Sequence, residues 1–124
     1  MKGNPVVWFE IYVEDMARAR SFYEAVLDTT LTEMKSPGIE MWFFGHQGDQ
    51  GYGSGGALVR MEGFAAGANS VLVYFNCEDC AIEEARVGKA GGRIQRGKTA
   101  IGEHGFISLV YDTEGNMIGL HSMK

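Results

Sequence analysis

An internal repeat constrains the fold of this chain more than any other feature of its sequence. Residues 6–13 are rich in β-branched and aromatic side chains, as strands are, and the acidic pair Glu14-Asp15 then precedes a helical segment. Sixty-four residues later the same pattern returns, with residues 70–77 followed by Glu78-Asp79. Two copies of a half-domain unit are therefore predicted, each opening with a strand, an acidic corner and a helix.

Each copy continues with three further strands, so each is predicted to be a β-α-β-β-β unit. Behind the predicted helix cap Asp15, apolar residues recur at helical spacing from Ala19 to Leu27. One such unit leaves a sheet face uncovered, so two must pair, either within the chain or across a dimer. The predicted class is α+β, with tandem βαβββ modules at about 5–62 and 69–123 of a single domain spanning 1–124. The predicted strands are 6–13, 31–34, 39–44 and 57–61, then 70–77, 93–96, 106–111 and 117–122, with the second helix at about 80–90.

Charge and hydropathy exclude several classes of partner. The net charge of −5 and the pI near 5.1 argue against nucleic acid, because basic side chains supply most of the affinity for phosphates. No apolar run approaches the roughly 20 residues that span a bilayer, so no membrane partner is expected. The residues before the first strand lack the apolar core of a signal peptide. A cytoplasmic location is predicted.

Cys77 and Cys80 form a C-x-x-C at the start of the second helix, where a redox pair could lie. In the first copy the same positions are held by Val13 and Met16, which are apolar packing residues. Since a free cysteine behaves as a small buried hydrophobe, packing is the favoured interpretation and redox chemistry the alternative.

The segment Gly45–Gly56 holds six glycines in twelve residues. A phosphate-binding loop would need a following Lys-Ser/Thr or a helix, and a strand is predicted there instead. Two interpretations remain open: a flexible hairpin connection, or a lid over a pocket with Tyr52 as its one large side chain.

Two motifs, together with the repeat, resemble the vicinal oxygen chelate superfamily, which includes glyoxalase I, extradiol dioxygenases and bleomycin-resistance proteins. Residues 9–19, FEIYVEDMARA, with the Phe22-Tyr23 pair, resemble its opening strand, Asp corner and helix. Residues 112–120, DTEGNMIGL, resemble its closing hairpin, most closely in the small proteins related to lactoylglutathione lyase. The resemblance implies a glyoxalase-like curved sheet around a cleft and a homodimer.

Metal-dependent members of the superfamily carry one ligand on the first strand and one on the last strand of each module. The corresponding positions here are Trp8, Leu72, Gly119 and a strand within 54–61 that has no His or carboxylate. None of these side chains can donate a lone pair to a divalent cation. The resemblance therefore implies no metal and no standard glyoxalase I activity.

Strand alternation predicts which side chains share a face with those positions. The result is a mostly aromatic wall with a few polar groups, suited to a small aromatic or hydrophobic ligand. Glu10 and His121 are candidate catalytic residues, as acid and base or as unconventional metal ligands of a lyase-like or dioxygenase-like enzyme. Glu10 could equally form a structural pair, and Trp8 and Leu72 could merely fill space. The predicted ligand-binding residues are Trp8, Glu10, Tyr12, Trp42, Leu72, Tyr74, Asn76 and His121.

Overall fold

The computed structural model describes residues 4–45 and 53–124, which form two successive βαβββ modules. Module one comprises β1 (Trp8–Tyr12), α1 (Met16–Leu27), β2 (Thr32–Ser36), β3 (Ile39–Phe44) and β4 (Gly55–Arg60). Module two comprises β5 (Tyr74–Asn76), α2 (Cys80–Val87), β6 (Arg93–Ala100), β7 (Phe106–Tyr111) and β8 (Met117–Ser122), with a 3-10 turn at Gly102–His104. The predicted α+β class and tandem modules are confirmed.

Each module forms its own four-stranded sheet, and the two sheets have the same strand order. The orders are β1-β4-β3-β2 and β5-β8-β7-β6, with the opening strand parallel to the closing strand in each. Glu10 pairs with Ala57 and Ile11 pairs with Leu58. Because successive side chains of a strand alternate, these two pairs lie on opposite faces of the sheet. The opening strands β1 and β5 each lie at a sheet edge, so one side of each strand has no strand partner within its sheet.

One hydrophobic core runs through both modules beneath the helices. Module one contributes Ile11, Phe22 and Leu58, and module two contributes Val110 and Leu120, all of them at most 7% exposed. The helices meet each other as well as the sheets, because the Arg86 guanidinium of α2 donates to the carbonyl of Val26 in α1 at 3.1 Å. Neither helix in the described ranges is long and apolar enough to cross a membrane.

The packing interpretation of the cysteine pair is confirmed. Cys77 and Cys80 are both free and buried, and they belong to the same core cluster as Val13 and Met16. Burial, reinforced by the nearby Glu83 carboxylate, raises the pKa of the Cys77 thiol to about 12. A thiol of this kind stays protonated near neutral pH and is a poor nucleophile.

The turn between β7 and β8 connects the two modules through buried polar groups. The hydroxyl of Tyr23 in α1 donates to the Asp112 carboxylate at 2.6 Å, and the Asn116 amide donates to the carbonyl of Tyr12 at 2.9 Å. Burial, together with the charge of Asp112, raises the pKa of Tyr23 well above its ordinary value, so the phenol remains a donor. The closing-hairpin motif therefore stabilises the contact between the modules.

Glu114, in the same turn, supplies acceptors to the start of α1. Its buried carboxylate accepts the backbone N–H groups of Glu14 and Asp15, each at 2.9 Å, and pairs with Arg18 at 2.6 Å. Burial alone would raise the pKa of Glu114, but the Arg18 guanidinium, the two amides and the Thr113 hydroxyl outweigh it and lower the pKa to about 2. Module two thus caps the helix of module one.

Three predicted boundaries differ clearly from the structure. The strand predicted at 93–96 continues to Ala100 as β6, because it pairs with β7 as far as Phe106; the other two lie at strand 70–77 and at the loop Gly45–Gly56. Strand 70–77 is reduced to β5, Tyr74–Asn76, because the Asn69 side chain bonds the Val71 carbonyl at 2.7 Å and the Met117 amide at 3.0 Å. These side-chain bonds replace strand pairing at the beginning of the segment. The third difference is in the predicted loop Gly45–Gly56: β4 begins at Gly55, and residues 46–52, including Tyr52 of the hypothetical lid, lie outside the described residues.

Candidate functional site

The outward face of β1 carries three side chains that the sequence predicted to lie together. Trp8, Glu10 and Tyr12 alternate with Phe9 and Ile11, which point into the core. Trp8 is 43% exposed and Glu10 is exposed, whereas Ile11 is only 7% exposed. The alternation therefore places two aromatic rings and one carboxylate on the accessible side of the sheet.

Glu10 is held by its two neighbours on this face. The Trp8 indole Nε1–H donates to Glu10 Oε2 at 3.2 Å, and the Tyr12 hydroxyl donates to Glu10 Oε1 at 2.7 Å. The hydrogen bond to Glu10, with burial and the negative charge of Glu10, raises the pKa of Tyr12, which keeps the phenol protonated. We name Trp8, Glu10 and Tyr12 the β1 triad.

The β1 triad is supported by further aromatic rings. Trp8 meets Phe43 of β3 edge to face, with ring centroids 5.3 Å apart, and its ring lies against Gly55 of β4. Tyr12 stacks on Phe64 at 5.3 Å between centroids. A β-carbon at Gly55 would lie 3.3 Å from the indole, so the glycine permits this close approach. Contacts with Phe43 and Gly55 therefore position the Trp8 ring, and the contact with Phe64 positions the Tyr12 ring.

A cleft of about 480 Å³ runs along β1, between that strand and the segment 65–73 that leads into β5. The β1 triad forms one wall together with Phe9 and Ile11, and linker and module-two residues form the other, including apolar side chains and the polar Asn69, Ser70 and Asn116. The cleft thus combines aromatic surface with a carboxylate at the boundary between the modules. Its walls include Trp8, Glu10, Tyr12, Val71, Val73 and Met117.

The predicted residues of module two lie on a different part of the surface. Tyr74 covers Gly119, its register partner on β8, and Asn76 is paired with His121. The His121 Nε2 atom lies 2.7 Å from the carbonyl oxygen of His104 in the 3-10 turn. Leu72 and Tyr74 are 37% and 47% exposed. None of these predicted residues is among the walls of the cleft beside β1.

Trp42 lies on the other side of the first sheet from the β1 triad. Its register partner on β4 is Leu58, which faces the core, whereas the neighbouring Phe43 is paired with Ala57 on the triad's face. The Arg20 guanidinium of α1 lies 3.4 Å from the centre of the Trp42 ring. The structure therefore corrects the placement of Trp42, because strand parity gives Phe43 the position beside Trp8.

Glu10 and His121, the candidate acid–base pair, are not joined by a hydrogen bond or an ion pair. Within residues 4–45 and 53–124, Glu10 bonds only to the other members of the β1 triad, and His121 bonds to the turn at Gly102–His104. Proton transfer between two groups requires hydrogen-bond reach, directly or through one water molecule. In the described contacts, Glu10 and His121 are each bonded to other groups and not to one another.

The positions that would hold the superfamily's metal carry no suitable donors. Trp8 lies opposite Gly55, and Gly119 lies opposite Tyr74. The indole of Trp8, the isobutyl group of Leu72 and the glycine at 119 offer no side-chain lone pair to a divalent cation. Across residues 4–45 and 53–124, no group of three or more His, Cys, Asp or Glu side chains is placed to hold a metal ion.

Two aromatic residues of this region were missed by the sequence reasoning. Phe43 and Trp42 are adjacent in β3 and therefore point to opposite faces of the sheet. The register with β4 decides which of them lies on the face of the β1 triad. Phe64 is the one large side chain in the Gly- and Ala-rich linker at residues 62–69, and it is 52% exposed. A lone aromatic residue in such a linker was an available signal, although its stacking partner could be identified only from the fold.

Solved structures with similar folds come from plants and bacteria. Glyoxalase I from Zea mays superposes with a TM-score of 0.74 at 20% identity, over 94% of this chain and 45% of that one. A glyoxalase-related enzyme from Fulvimarina pelagi gives 0.70 at 19% identity, over 94% and 86%. TnmS3, an antibiotic binding protein from Streptomyces sp. CB03234, gives 0.70 at 21% identity, over 98% of both chains. The chain thus spans less than half of the maize enzyme and nearly all of TnmS3, and these likenesses establish the fold.

Family membership rests on the sequence itself. No curated protein shows significant sequence similarity to the chain. The sequence profile of the Glyoxalase/Bleomycin resistance protein/Dioxygenase superfamily matches residues 6–120, which include both modules, the β1 triad and the closing hairpin. The chain belongs to the Glyoxalase/Bleomycin resistance protein/Dioxygenase superfamily.

Proposed function

We propose that the protein binds a small aromatic or hydrophobic molecule in the cleft beside β1, in the cytoplasm and without a divalent metal. The observation that carries this proposal is the β1 triad, in which the exposed Trp8 ring and the half-buried Tyr12 ring flank a carboxylate along the wall of the cleft. Aromatic rings bind flat or apolar molecules by stacking, and a few fixed polar groups orient them.

The size and composition of the cleft support a small ligand. Its volume of about 480 Å³ lies within the roughly 300–1,000 Å³ that is typical of small-molecule sites. TnmS3, an antibiotic binding protein, has a similar fold and is a precedent for small-molecule binding by it. The predicted contacts Leu72, Tyr74, Asn76 and His121 lie outside the walls of this cleft and are not part of the proposed site, and Trp42 is omitted because it faces α1.

A homodimer is part of the proposal. Val7 and Val71 flank the opening strands of the two modules and are 76% and 71% exposed, and Leu72 and Tyr74 add further apolar surface. Exposed apolar area of this kind is typical of surfaces that pair with another subunit. Light scattering should give twice the chain mass of 13.6 kDa at micromolar concentration, and a monomer would contradict this part of the proposal.

An enzyme that uses Glu10 with His121, or with unconventional metal ligands, is the alternative function. It would need the two side chains to approach each other, and each is bonded to other groups. Elemental analysis of protein purified without chelators separates the alternatives. We expect far less than one zinc, nickel or iron per chain, and a stoichiometric metal would favour the enzyme.

A thermal-shift screen against small aromatics, thiol conjugates and antibiotics tests ligand binding, with Trp8→Ala as the site variant. A ligand that binds only the folded state stabilises it by RT ln(1 + c/Kd), where c is the free ligand concentration, so a hit should raise the melting temperature of the wild type. The same compound should do much less for Trp8→Ala. Equal stabilisation of the two proteins would place the ligand elsewhere.

A further inference from the structure

Building on the proposed function, we propose that the ligand carries a positive charge, and that its cationic nitrogen lies at Glu10 between the rings of Trp8 and Tyr12. The ligand class is an aromatic or apolar molecule bearing an ammonium group or an alkylated ring nitrogen. The β1 triad would bind its charge, and the rest of the cleft would bind its apolar part.

The charge on Glu10 has no cationic partner in the part of the chain that the structure describes. Ion pairs there engage other carboxylates, such as Glu114 with Arg18 and Asp79 with Lys98. The two groups that do bond Glu10 are an indole N–H and a phenol O–H, which are neutral donors. A carboxylate offers about four lone-pair sites, so two remain for a donor arriving from the cleft.

The aromatic neighbours favour the same class of ligand. A cation is attracted to the electron-rich face of a tryptophan or tyrosine ring, and more strongly when water is excluded. Trp8 and Tyr12 lie on either side of Glu10 on one strand face. Their Cα atoms are about 13 Å apart at the usual rise per residue, and both side chains reach towards the Glu10 carboxylate. Phe64 covers one face of the Tyr12 ring, which leaves the other for the ligand.

There is room for a cation beside Glu10. The register partners of Trp8 and Glu10 on β4 are Gly55 and Ala57, so no long side chain rises next to the carboxylate. The cleft of about 480 Å³ includes Glu10 in its wall. In module two the repeat replaces Glu10 with Tyr74 and Tyr12 with Asn76, so the carboxylate belongs to module one alone.

Three probes with the same bicyclic shape test the proposal: N-methylquinolinium, which is a cation, quinoline, which is neutral near neutral pH, and naphthalenesulfonate, which is an anion. Dissociation constants are measured by NMR titration of the full chain. N-methylquinolinium should bind at least about tenfold more tightly than quinoline, and naphthalenesulfonate should bind most weakly. Added salt should weaken only the binding of the cation.

Glu10→Gln retains the size of the side chain and removes its charge, and should bring the affinities for N-methylquinolinium and quinoline to within about twofold of each other. Glu33→Gln is the matched control, because Glu33 is an exposed carboxylate of the same sheet paired with Trp42 on the opposite face. It should leave the tenfold preference intact.

Three results would overturn the proposal. In the first, the wild type binds quinoline and N-methylquinolinium equally and Trp8→Ala binds neither. The proposed function would then still hold, but for a neutral ligand. Another is a cation preference that persists in Glu10→Gln. The third is failure of N-methylquinolinium to bind at millimolar concentration, in which case the proposed function is judged separately by the thermal-shift screen.

Discussion

The two copies of the strand–corner–helix unit share a backbone and differ in what their side chains do. On β1 the outward positions are Trp8, Glu10 and Tyr12, which bond one another along the cleft. The repeat places Leu72, Tyr74 and Asn76 at the same positions before and along β5, and Tyr74 there covers a glycine of β8. One copy therefore presents a charged aromatic site, and the other presents a largely neutral surface.

The helix caps differ between the copies in a second way. Asp15 and Asp79 both cap their helices through the side chain, at 3.0 Å from a first-turn amide. In module one, Glu114 of module two adds a buried acceptor, whereas in module two Asp79 receives an additional bond from Lys98 at 2.9 Å. The repeat thus fixes where the acidic corner lies, and contacts outside the repeat decide how strongly it is held.

The largest expected effect is a loss of stability when the Glu114 carboxylate at the start of α1 is replaced. Glu114→Gln should lower the free energy of unfolding by about 3 kcal/mol at neutral pH, since the folded state holds the pKa near 2 against an ordinary value of 4.5. Lys98→Met, which removes the corresponding bond in module two, should lower the stability much less, because that pair is partly exposed to solvent. Urea denaturation measures both.

The same comparison has a predicted pH dependence. Because folding lowers the pKa of Glu114, its contribution is complete above about pH 4.5 and is lost as the pH falls towards about 2. The difference in stability between wild type and Glu114→Gln should therefore shrink over that interval. A difference that stays constant would show that the substitution acts through packing and not through charge.

A smaller effect is expected on ligand binding when equivalent residues of the two copies are replaced. Trp8→Ala should weaken ligand binding by at least about tenfold, while Leu72→Ala at the equivalent repeat position should change it by less than about threefold. Trp8 lines the cleft and Leu72 does not. Titration calorimetry with the best compound from the thermal-shift screen measures both, and circular dichroism checks that each variant keeps its secondary structure. Equal losses would mean that the two copies contribute equally.

The smallest effect is expected where the copies are most alike, in the core. Replacing Cys77 with Val and Cys80 with Met transfers the residues of module one into module two at positions that are buried in both. Both exchanges add volume at buried positions, which typically costs about 1–3 kcal/mol, and the low end is expected because the equivalent positions of module one hold these residues. Thermal unfolding of the double variant tests this value. A failure to fold would show that the thiols have a role beyond packing.

Much of the fold could be predicted because its signals are local. The repeat, the Asp15 and Asp79 caps and the alternation of β1 are visible in short windows of sequence, and they placed Trp8, Glu10 and Tyr12 on one face. The position of Trp42 could not be derived in this way, because adjacent Trp and Phe residues satisfy the same pattern in either parity. The register with Leu58 decides between them.

Contacts between distant residues were also beyond the sequence. Glu114 lies in a turn that the sequence identified, but its role as a cap for α1 depends on a contact across about a hundred positions of the chain. The same holds for Phe64 against Tyr12 and for the Asn69 bonds that shorten β5. Such contacts arise only when segments that are distant in the sequence meet in the folded chain.

The most direct test of the central claim follows the two tryptophan side chains separately. In proton–nitrogen NMR spectra, the indole signals of Trp8 and Trp42 are assigned by their absence in Trp8→Ala and Trp42→Phe, and are then monitored during titration with N-methylquinolinium and with quinoline. If the outward face of β1 is the site, the Trp8 signal should shift and saturate while the Trp42 signal, beneath Arg20, stays in place. A saturating shift of Trp42 without one of Trp8, or no shift of either, would contradict the account.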